Sequence, residues 1–206
     1  MSISWEILSD NNCAASIIQQ GNLYGIIDSN DSMYVAPQYQ SLEYISTKSN
    51  DSLPPVYFFL AEKENKKGII SQKNEIISTF ELEGESDFPF SDEVFVISKN
   101  GKQVLFNGEG KIIINGNYDK IGPFDGSDND GKELVLVSKG KKLGLLKLDG
   151  TVLLECMYDK INANTDYYDL QQRAYFTFEK DNKLGLICNT GEIIFQPIAE
   201  TARLFA

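Results

Sequence analysis

The stretch from Lys142 to Ile161, KLGLLKLDGTVLLECMYDKI, contains the pattern on which the whole chain is built. A short apolar run leads into the turn dipeptide Asp149-Gly150, a second apolar run follows, and the stretch closes with Tyr158-Asp159. Two apolar runs separated by a glycine turn are typical of a β-hairpin, because Gly adopts the positive φ angle that tight hairpin turns require. The stretch therefore predicts two short antiparallel strands.

The same pattern recurs along the chain at a nearly constant interval. Alignment on the residue that opens each copy yields five anchors, spaced by 43, 36, 40 and 41 residues: Gly25, Gly68, Val104, Gly144 and Gly185. Such a period indicates a repeat architecture, because one small repeat cannot bury its own apolar face and must pack on its neighbours. We predict a single domain over residues 1–206, with repeats at approximately 17–46, 56–88, 94–124, 133–161 and 174–206.

Further positions agree between the copies. A turn residue stands six positions after each anchor: Asp31, Asn74, Gly110, Gly150 and Gly191. An apolar residue, three times Tyr, stands fourteen positions after it: Tyr39, Leu82, Tyr118, Tyr158 and Ala199. Another β-rich run, such as Leu134 to Ser138, precedes each later anchor. The anchor Gly is expected where two backbones approach closely or a strand bends.

These patterns together predict the fold class. The apolar runs are nearly continuous, which favours strands that are buried on both faces. We predict an all-β fold of about five degenerate repeats of roughly 40 residues, each with about three short antiparallel strands, in a propeller-like or stacked open array. No long stretch has helical periodicity, and the most helix-like segments are Ser9 to Gln20 and Asn164 to Ala174.

Polar, acid-rich segments separate the repeats. We interpret them as surface loops, since connecting segments of a repeat protein gather along its edges. The segments are Thr47 to Pro55, Glu81 to Glu93, Asp125 to Glu133 and Asn162 to Arg173.

Charge and composition restrict the classes of function. The net charge of −11 argues against direct nucleic-acid binding, because phosphate contacts require a basic surface. It favours a basic protein partner, because opposite potentials steer association; a merely solvated surface is the plain alternative. The absence of histidine excludes histidine triads, histidine metal sites and imidazole proton shuttles.

The cysteines and the N-terminal sequence add further expectations. Cys13, Cys156 and Cys188 have no CxxC spacing, so they predict neither a disulfide framework nor a zinc site, and the last two are expected to be small buried side chains. We expect no cofactor and no metal. The N-terminal MSISWEILSD lacks the features of a secretory signal, and no apolar run reaches the roughly 18 residues of a membrane helix. We therefore expect a cytoplasmic protein with no membrane partner.

The recurring phrase resembles the WG-repeat family of bacteria, in which an aromatic-Gly step precedes apolar residues, a Gly turn and Pro-x-Tyr-Asp. The resemblance covers roughly Ile17 to the C-terminus, and the family's Trp is replaced before every anchor, by Tyr24, Lys67, Gln103, Leu143 and Leu184. The only tryptophan, Trp5, precedes the repeats. The matching segments are LYGIIDSNDSMYVAPQY, VLFNGEGKIIINGNYDKI, KLGLLKLDGTVLLECMYDKI and KLGLICNTGEIIFQP.

The resemblance implies a β-rich binding scaffold without defined catalytic residues. Some members of the family occur in bacterial toxin–immunity systems, of the contact-dependent inhibition type among others, where they sequester a toxin domain. It thus implies a protein-binding inhibitor, an immunity protein whose partner is a basic toxin, with a nuclease domain as the expected class. A generic β-repeat scaffold is the alternative.

Two segments invite chemical interpretations that the spacing does not support. With Gly131 at the sixth position of an EF-hand loop, Asp128 and Asp130 match, but Gly126 and Val137 occupy the first and twelfth positions, where acidic ligands belong. A hydrophilic loop is the better interpretation of Asp125 to Gly131.

A carbohydrate-active enzyme with paired carboxylates is the remaining alternative. Glu83 with Glu85, or Asp166 with Asp169, would supply the pair, but nothing in the sequence sets their separation. No phosphate-binding loop, GxSxG or HExxH motif occurs, so we expect no enzyme.

The predicted binding residues are acids of the connecting segments together with two tyrosines. Tyr supplies rigid contact area and carboxylates complement a basic partner. One of the tyrosines packing on the core is the plain alternative. The predicted partner-binding residues are Glu81, Glu83, Glu85, Asp87, Asp92, Glu93, Asp125, Asp128, Asp130, Asp166, Tyr167, Tyr168 and Asp169.

Overall fold

A computed structural model describes residues 6–7, 15–50, 53–91, 94–128, 130–168 and 174–199. Within these ranges the fold is all-β, with 19 strands and no helix. The strands form four sheets, and the pairings are antiparallel. The predicted all-β repeat architecture is confirmed. No helix long and apolar enough to cross a membrane occurs in the described part of the chain.

The strands are numbered in chain order. They are β1 (Glu6–Ile7), β2 (Ala15–Gln20), β3 (Leu23–Asp28), β4 (Met33–Tyr39), β5 (Ser41–Asn50), β6 (Leu53–Lys63), β7 (Lys66–Ser71), β8 (Ile76–Ser91), β9 (Val94–Lys99), β10 (Lys102–Asn107), β11 (Ile112–Tyr118), β12 (Lys120–Ser127), β13 (Glu133–Lys139), β14 (Lys142–Lys147), β15 (Val152–Tyr158), β16 (Lys160–Tyr168), β17 (Ala174–Lys180), β18 (Lys183–Cys188) and β19 (Ile193–Ala199).

Strand order follows the sequence in every sheet. Three sheets have four strands, in the orders β1-β2-β3-β4, β12-β13-β14-β15 and β16-β17-β18-β19. The fourth has seven, in the order β11-β10-β9-β8-β7-β6-β5, and contains the 16-residue strand β8, which pairs with β7 along its first part and with β9 along its second. The chain divides into unit 1, Met1–Gly101 with Leu105–Ile112, and unit 2, Lys102–Val104 with Ile113–Ala206.

The four-stranded sheets contain one strand more than the three predicted for a repeat. Strand β12 is an example: Ile121 and Phe124 are buried, β13 is its partner, and its last residues, Asp125 to Ser127, fall in the predicted loop Asp125 to Glu133. Asp125 is exposed, so the acid-rich end of a strand has the composition of a loop. The same correction applies to the end of β5, to the second part of β8 and to most of β16, and Leu53 to Pro55 of the first predicted loop begin β6.

The two helix-like segments are also extended. The described part of Ser9 to Gln20 is β2, which pairs with β3 along its whole length. The described part of Asn164 to Ala174 belongs to β16 and to the first residue of β17. Tertiary pairing thus outweighs a short and weak local preference.

The turn six positions after each anchor is confirmed as a turn with positive φ. The angles are 61° at Asp31, 66° at Asn74, 75° at Gly110, 89° at Gly150 and 96° at Gly191. In the fourth repeat, the Lys147 amide donates to the Thr151 carbonyl at 2.8 Å, and the Gly150 amide donates to the Lys147 carbonyl at 3.0 Å. These bonds close a short hairpin loop in which the positive-φ residue forms a bulge.

The anchor Gly lies where two backbones approach closely, as predicted. A Cβ on Gly144 would lie 2.8 Å from the Leu154 carbonyl oxygen, and one on Gly25 would lie 2.8 Å from the Pro37 nitrogen. The register between the two strands shifts at this point, for example between Leu143 and Leu145 in β14. The bulge of the facing strand therefore leaves no room for a side chain at the anchor.

Each core lies between consecutive repeats. In unit 1, Ile26 and Tyr39 of the first repeat pack in one cluster with Phe59 and Ile70 of the second. In unit 2, residues of the fourth and fifth repeats form the corresponding cluster, whose members include Leu145, Tyr158, Phe176, Phe178 and Ile187. Neighbouring repeats therefore bury each other's apolar faces, which is the reason a single repeat is not stable alone.

Candidate functional site

The acid that follows the buried Tyr connects one repeat to the next. Asp119 accepts hydrogen bonds from the Lys102 ammonium and, at 2.5 Å, from the Gly140 amide in the next hairpin turn. Asp159 likewise accepts from Lys142 Nζ at 2.5 Å and from the Asp181 amide at 3.1 Å. We call this arrangement the inter-repeat bridge. It accounts for the Asp of the Tyr-Asp phrase, because one carboxylate oxygen binds a lysine of its own repeat and the other accepts an amide hydrogen bond from the next repeat.

The bridges lower the pKa of their carboxyl groups. The hydrogen bond from Lys102, followed by that from the Gly140 amide, lowers the pKa of Asp119 below its usual 3.8. The hydrogen bond from Lys142 lowers the pKa of Asp159 in the same way, with the Asp181 amide as the second cause. Both effects favour the ionised carboxylate, which is the form that accepts these bonds.

The predicted acids of β8 fall into two groups. Glu81 lies 2.5 Å from Lys99 Nζ, and Glu83 forms an ion pair with Lys66. The hydrogen bond from Lys99 is the main reason that the pKa of Glu81 is lowered. Glu85 and Asp87 are exposed and form no ion pair within the described residues. The predicted residues Asp92 and Glu93 lie outside the described ranges.

Strand β8 departs from the repeat pattern where its acids are exposed. Leu82-Glu83 stands in place of Tyr-Asp. Between the pairs Glu83↔Ser98 and Asp87↔Val96, β8 advances by four residues while β9 advances by two. Gly84, with φ of 79°, lies in this bulge. Bulges re-aim side chains and are frequent beside functional sites, so Glu85 and Asp87 are presented to solvent.

The structure adds two residues that the sequence analysis did not identify. Ser86 Oγ donates to the Glu43 carboxylate at 3.0 Å and 3.1 Å, which places Glu43 of β5 beside β8. Tyr44 is 46% exposed, and its ring centroid lies 6.1 Å from that of Phe59. We define the acidic face as Glu43, Glu85 and Asp87, all in unit 1. An acid next to an aromatic residue, Glu43-Tyr44, was the only indication of a binding site here in the sequence. The fold is what brings Glu43 beside β8.

The acids around Asp128 have different environments. Asp125 is exposed on β12, and Asp130 is exposed in the turn that follows. Asp128 is only 4% exposed; its Oδ1 accepts from the Asp130 and Lys132 amides at 2.9 Å each, and its Oδ2 lies 3.7 Å from Lys147 Nζ. Asp128 is therefore a turn-stabilising residue, and the segment weighed as a calcium loop forms a hairpin turn.

The tyrosine-containing segment lies in unit 2. Asp166, Tyr167 and Tyr168 belong to the backbone of β16, where Tyr168 pairs with Ala174 of β17. The predicted residue Asp169 lies outside the described ranges. The segment up to Tyr168 is thus a strand, whereas the sequence analysis assigned it to a loop.

One cleft in unit 2 brings a buried and an exposed carboxylate together, as a glycosidase would require. Its lining includes Asp128, Asp149, Lys132 and Lys147. Asp128 is occupied by its two amide donors and by Lys147, and a hydrogen bond from the Thr151 amide lowers the pKa of Asp149. A glycosidase acid needs a raised pKa, so the specific bonds around this pair do not favour that chemistry.

Metal binding and acid catalysis have no positive support in the described part of the chain. Among the described residues, no group of three or more Cys, Asp or Glu side chains is arranged to hold a metal ion. Every described carboxyl group whose pKa is shifted has a lowered value: Glu81, Asp119, Asp149 and Asp159.

Two of the solved structures that match this chain are distant from it in sequence. A structure described as a eukaryotic initiation factor has 10% sequence identity and a TM-score of 0.37, over 94% of this chain and 55% of that chain. This chain therefore spans about half the length of that protein. A protein of unknown function from Bacteroides caccae has 11% identity and a TM-score of 0.25, over 95% of this chain and 82% of that one. Comparison with curated proteins finds no significant match.

One segment of the chain matches a protein-family model. The model described as "WG containing repeat" matches residues 105–142, which begin in β10 and extend to the start of β14. The match contains the turn at Gly110 and the Tyr118-Asp119 bridge, so it covers the features that recur along the chain. It supports the interpretation of this chain as a WG-repeat protein.

Proposed function

We propose that this chain is a protein-binding β-repeat module that binds a positively charged protein through the acidic face of unit 1. Other acids of the repeats have structural partners, for example Asp119 and Asp159 in the inter-repeat bridges. Glu85 and Asp87 have no ion pair within the described residues, and Glu43 is bonded to Ser86, which stands between them in the strand. Exposed carboxylates of this kind are available to a partner at no cost to the scaffold.

The departure of β8 from the repeat pattern is the observation on which this proposal rests. Leu82-Glu83 stands in place of the Tyr-Asp of two other repeats, and a register shift with Gly84 at positive φ follows directly, whereas the shifts of β5, β12 and β16 begin further along the strand. Places where a chain departs from its own local rules are expected to be functional or strained. Leu82 is buried in place of the Tyr, and the part of β8 beyond the shift exposes Glu85 and Asp87.

Electrostatics favours a basic partner over other classes. A chain with a net charge of −11 repels nucleic acid and anionic lipid, and it attracts basic surfaces at long range. The Debye length falls from about 10 Å at 0.1 M salt to about 3 Å at 1 M, so this attraction is strongly dependent on ionic strength. The association rate should therefore decrease as salt is added.

The specific partner that we propose is a bacterial toxin nuclease domain, with this chain as its immunity protein. A nuclease has a basic substrate groove, and an acidic face that occupies the groove competes with RNA or DNA for the same charges. The resemblance to WG-repeat proteins and the match at residues 105–142 support a binding scaffold as the framework. Co-expression with a toxin domain encoded beside this gene tests the proposal, with loss of toxicity as the supporting result and unchanged toxicity as the opposing one.

A defined peptide probe tests the general proposal without a cognate partner. The probe is a fluorescein-labelled peptide of alternating lysine and serine, and binding is followed by fluorescence anisotropy at low salt. Glu85→Gln with Asp87→Asn should weaken binding by about threefold to tenfold, because two exposed charges are removed from the face. A peptide of alternating glutamate and serine should not bind.

A matched variant in unit 2 serves as the control. Glu133 and Glu155 are also exposed carboxylates, so replacing both by Gln removes the same charge elsewhere. If the two double variants weaken binding equally, net charge alone explains the effect. The acidic face would then have no specific role in binding. Absence of any lysine–serine binding at low salt would contradict attraction to basic partners altogether.

A further inference from the structure

An apolar residue is exposed at the same position in all five repeats, and three of these residues lie in unit 1. This position is the first residue of the third strand, eight residues after the anchor. Met33 is 44% exposed, Ile76 is 61% exposed and Ile112 is 47% exposed. Scattered exposed apolar residues are ordinary, whereas a group of them that the fold brings together marks an interaction site.

Core packing explains only part of this apolar character. Each exposed residue stands across from a buried one, since Ile27 pairs with Met33 and Ile70 pairs with Ile76. A side chain there covers the edge of the core. Threonine is also β-branched and favours strands, so the backbone at this position does not itself demand an apolar side chain.

A contact between repeats brings two of these positions close together. The turn at Gly110, just before Ile112, lies against Ile77, since a Cβ on Gly110 would lie 3.1 Å from Ile77 Cγ2. We define the apolar row as Ile76, Ile77 and Ile112, all of which are exposed.

The acidic face and the apolar row share strand β8. Ile76 begins the strand and Glu85 follows nine residues later, a path of at most about 30 Å along a strand. A folded protein or an extended segment of ten residues covers such a distance. One partner can therefore contact both surfaces at once.

We infer that the partner of unit 1 is amphipathic, with basic side chains for the acidic face and apolar side chains for the apolar row. This inference rests on the proposed function, because the acidic face selects the basic partner. A second copy of this chain is disfavoured as the occupant, since two chains with a net charge of −11 repel each other. Anionic lipid surfaces are disfavoured for the same reason.

Two peptides of equal charge test the inference. One alternates lysine with valine and the other alternates lysine with serine, both with about 14 residues, which reach about 45 Å when extended. The valine peptide should bind the native protein about tenfold more tightly, since burial of a few half-exposed apolar groups contributes about that factor. Anisotropy titrations at low salt and at about 0.5 M salt measure both Kd values; the advantage of valine should persist at high salt.

Variants separate the two surfaces. Ile76→Thr with Ile112→Thr should remove the advantage of the valine peptide and leave the Kd of the serine peptide unchanged. Glu85→Gln with Asp87→Asn should weaken both peptides by the same factor. Val152→Thr with Ile193→Thr makes the same kind of change at the equivalent exposed positions of unit 2 and should alter neither Kd.

The outcomes distinguish failure of the inference from failure of the proposed function. If the two peptides bind the native protein equally, the apolar row has no role, and attraction to basic partners is unaffected. If the unit 2 variant removes the valine advantage and the unit 1 variant does not, the inference is wrong in its location. If neither peptide binds, the proposed function is contradicted and the inference fails with it.

Discussion

Lys142 Nζ lies 2.5 Å from Asp159 Oδ1, and the two residues are the ends of one repeat's hairpin of strands. The same spacing of seventeen residues joins Lys102 to Asp119 and Lys66 to Glu83. In the first two cases the acid also accepts an amide hydrogen bond from the next hairpin turn. The pair is therefore part of the connection between repeats, beyond its role as a surface ion pair.

Removal of the bridge should loosen the contact between the fourth and fifth repeats. Asp159→Ala removes the acceptor of the Asp181 amide and the partner of Lys142. Thermal unfolding followed by circular dichroism should show a lower Tm. Glu155→Ala, at an exposed site of the same sheet, is the control and should leave the Tm nearly unchanged. An equal Tm for both variants would show that the bridge contributes nothing to stability.

Stability should fall in acid because of the bridges. Hydrogen bonds from lysine and from backbone amides lower the pKa of Asp119 and Asp159 from the unfolded value of 3.8. A lowered folded pKa means that the unfolded chain binds protons first, so this stabilisation is complete above pH 3.8 and is lost as the pH falls through the lower folded values. Urea midpoints between about pH 2 and pH 6 measure the loss. Asp119→Asn with Asp159→Asn should flatten the profile in that window.

The anchor should not tolerate a side chain. Gly144→Ala places a Cβ 2.8 Å from the Leu154 carbonyl oxygen, and backbone cannot move aside as a side chain end can. We expect a loss of about 1–3 kcal/mol in the free energy of unfolding, measured with urea. Gly122→Ala is the matched control, because a Cβ there meets nothing within 4 Å. A similar loss for both substitutions would contradict the close-approach explanation.

Tyr44 should contribute to binding at the acidic face. Its ring is supported by Tyr57 and Phe59 at centroid distances of 6.4 Å and 6.1 Å, and it stands next to Glu43. A cation–π interaction between a cation and an exposed aromatic ring contributes about 0.5–1 kcal/mol to the binding free energy. Tyr44→Ala should therefore weaken the lysine–serine peptide about threefold, whereas Tyr44→Phe should retain the native Kd. Weakening by the Phe variant would assign the effect to the hydroxyl group.

The third repeat shows why the tertiary structure was needed to interpret the anchor. Val104 occupies the anchor position, which breaks the Gly pattern, and it is fully buried. Gly116, twelve residues later, stands where Pro37 and Cys156 stand in other repeats, and a Cβ on it would collide with the Tyr118 ring. In this repeat the glycine stands on the facing strand, at Gly116, instead of at the anchor. The sequence shows that the anchor Gly is lost, but only the strand pairing shows that Gly116 provides the room that the Val104 side chain needs.

The acidic face also depends on a contact between residues that are distant in the sequence. Glu43 and Ser86 are far apart in the sequence and are joined by hydrogen bonds of 3.0 Å and 3.1 Å. The high density of acids from Glu81 to Glu93 is typical of a loop, and the pairing with β9 that makes this segment a strand is not visible in the local sequence. Glu85 and Asp87 were identified correctly as exposed, whereas Glu81 and Glu83 are held by lysines that no local pattern connects to them.

The sequence by itself determined the repeat period, the strand pairs, the positive-φ turns and the apolar residue near the end of each repeat, which is buried in the first four. These features depend on local chemistry, since Gly and Asn favour tight turns and apolar runs favour strands, and a period of about 40 residues repeats that chemistry along the chain. Tertiary structure alone decided the fourth strand, the merging of two repeats through β8 and the partner of each acid. Those features depend on which backbone edges pair and which charges meet, and both are set by contacts between residues that the chain order keeps apart.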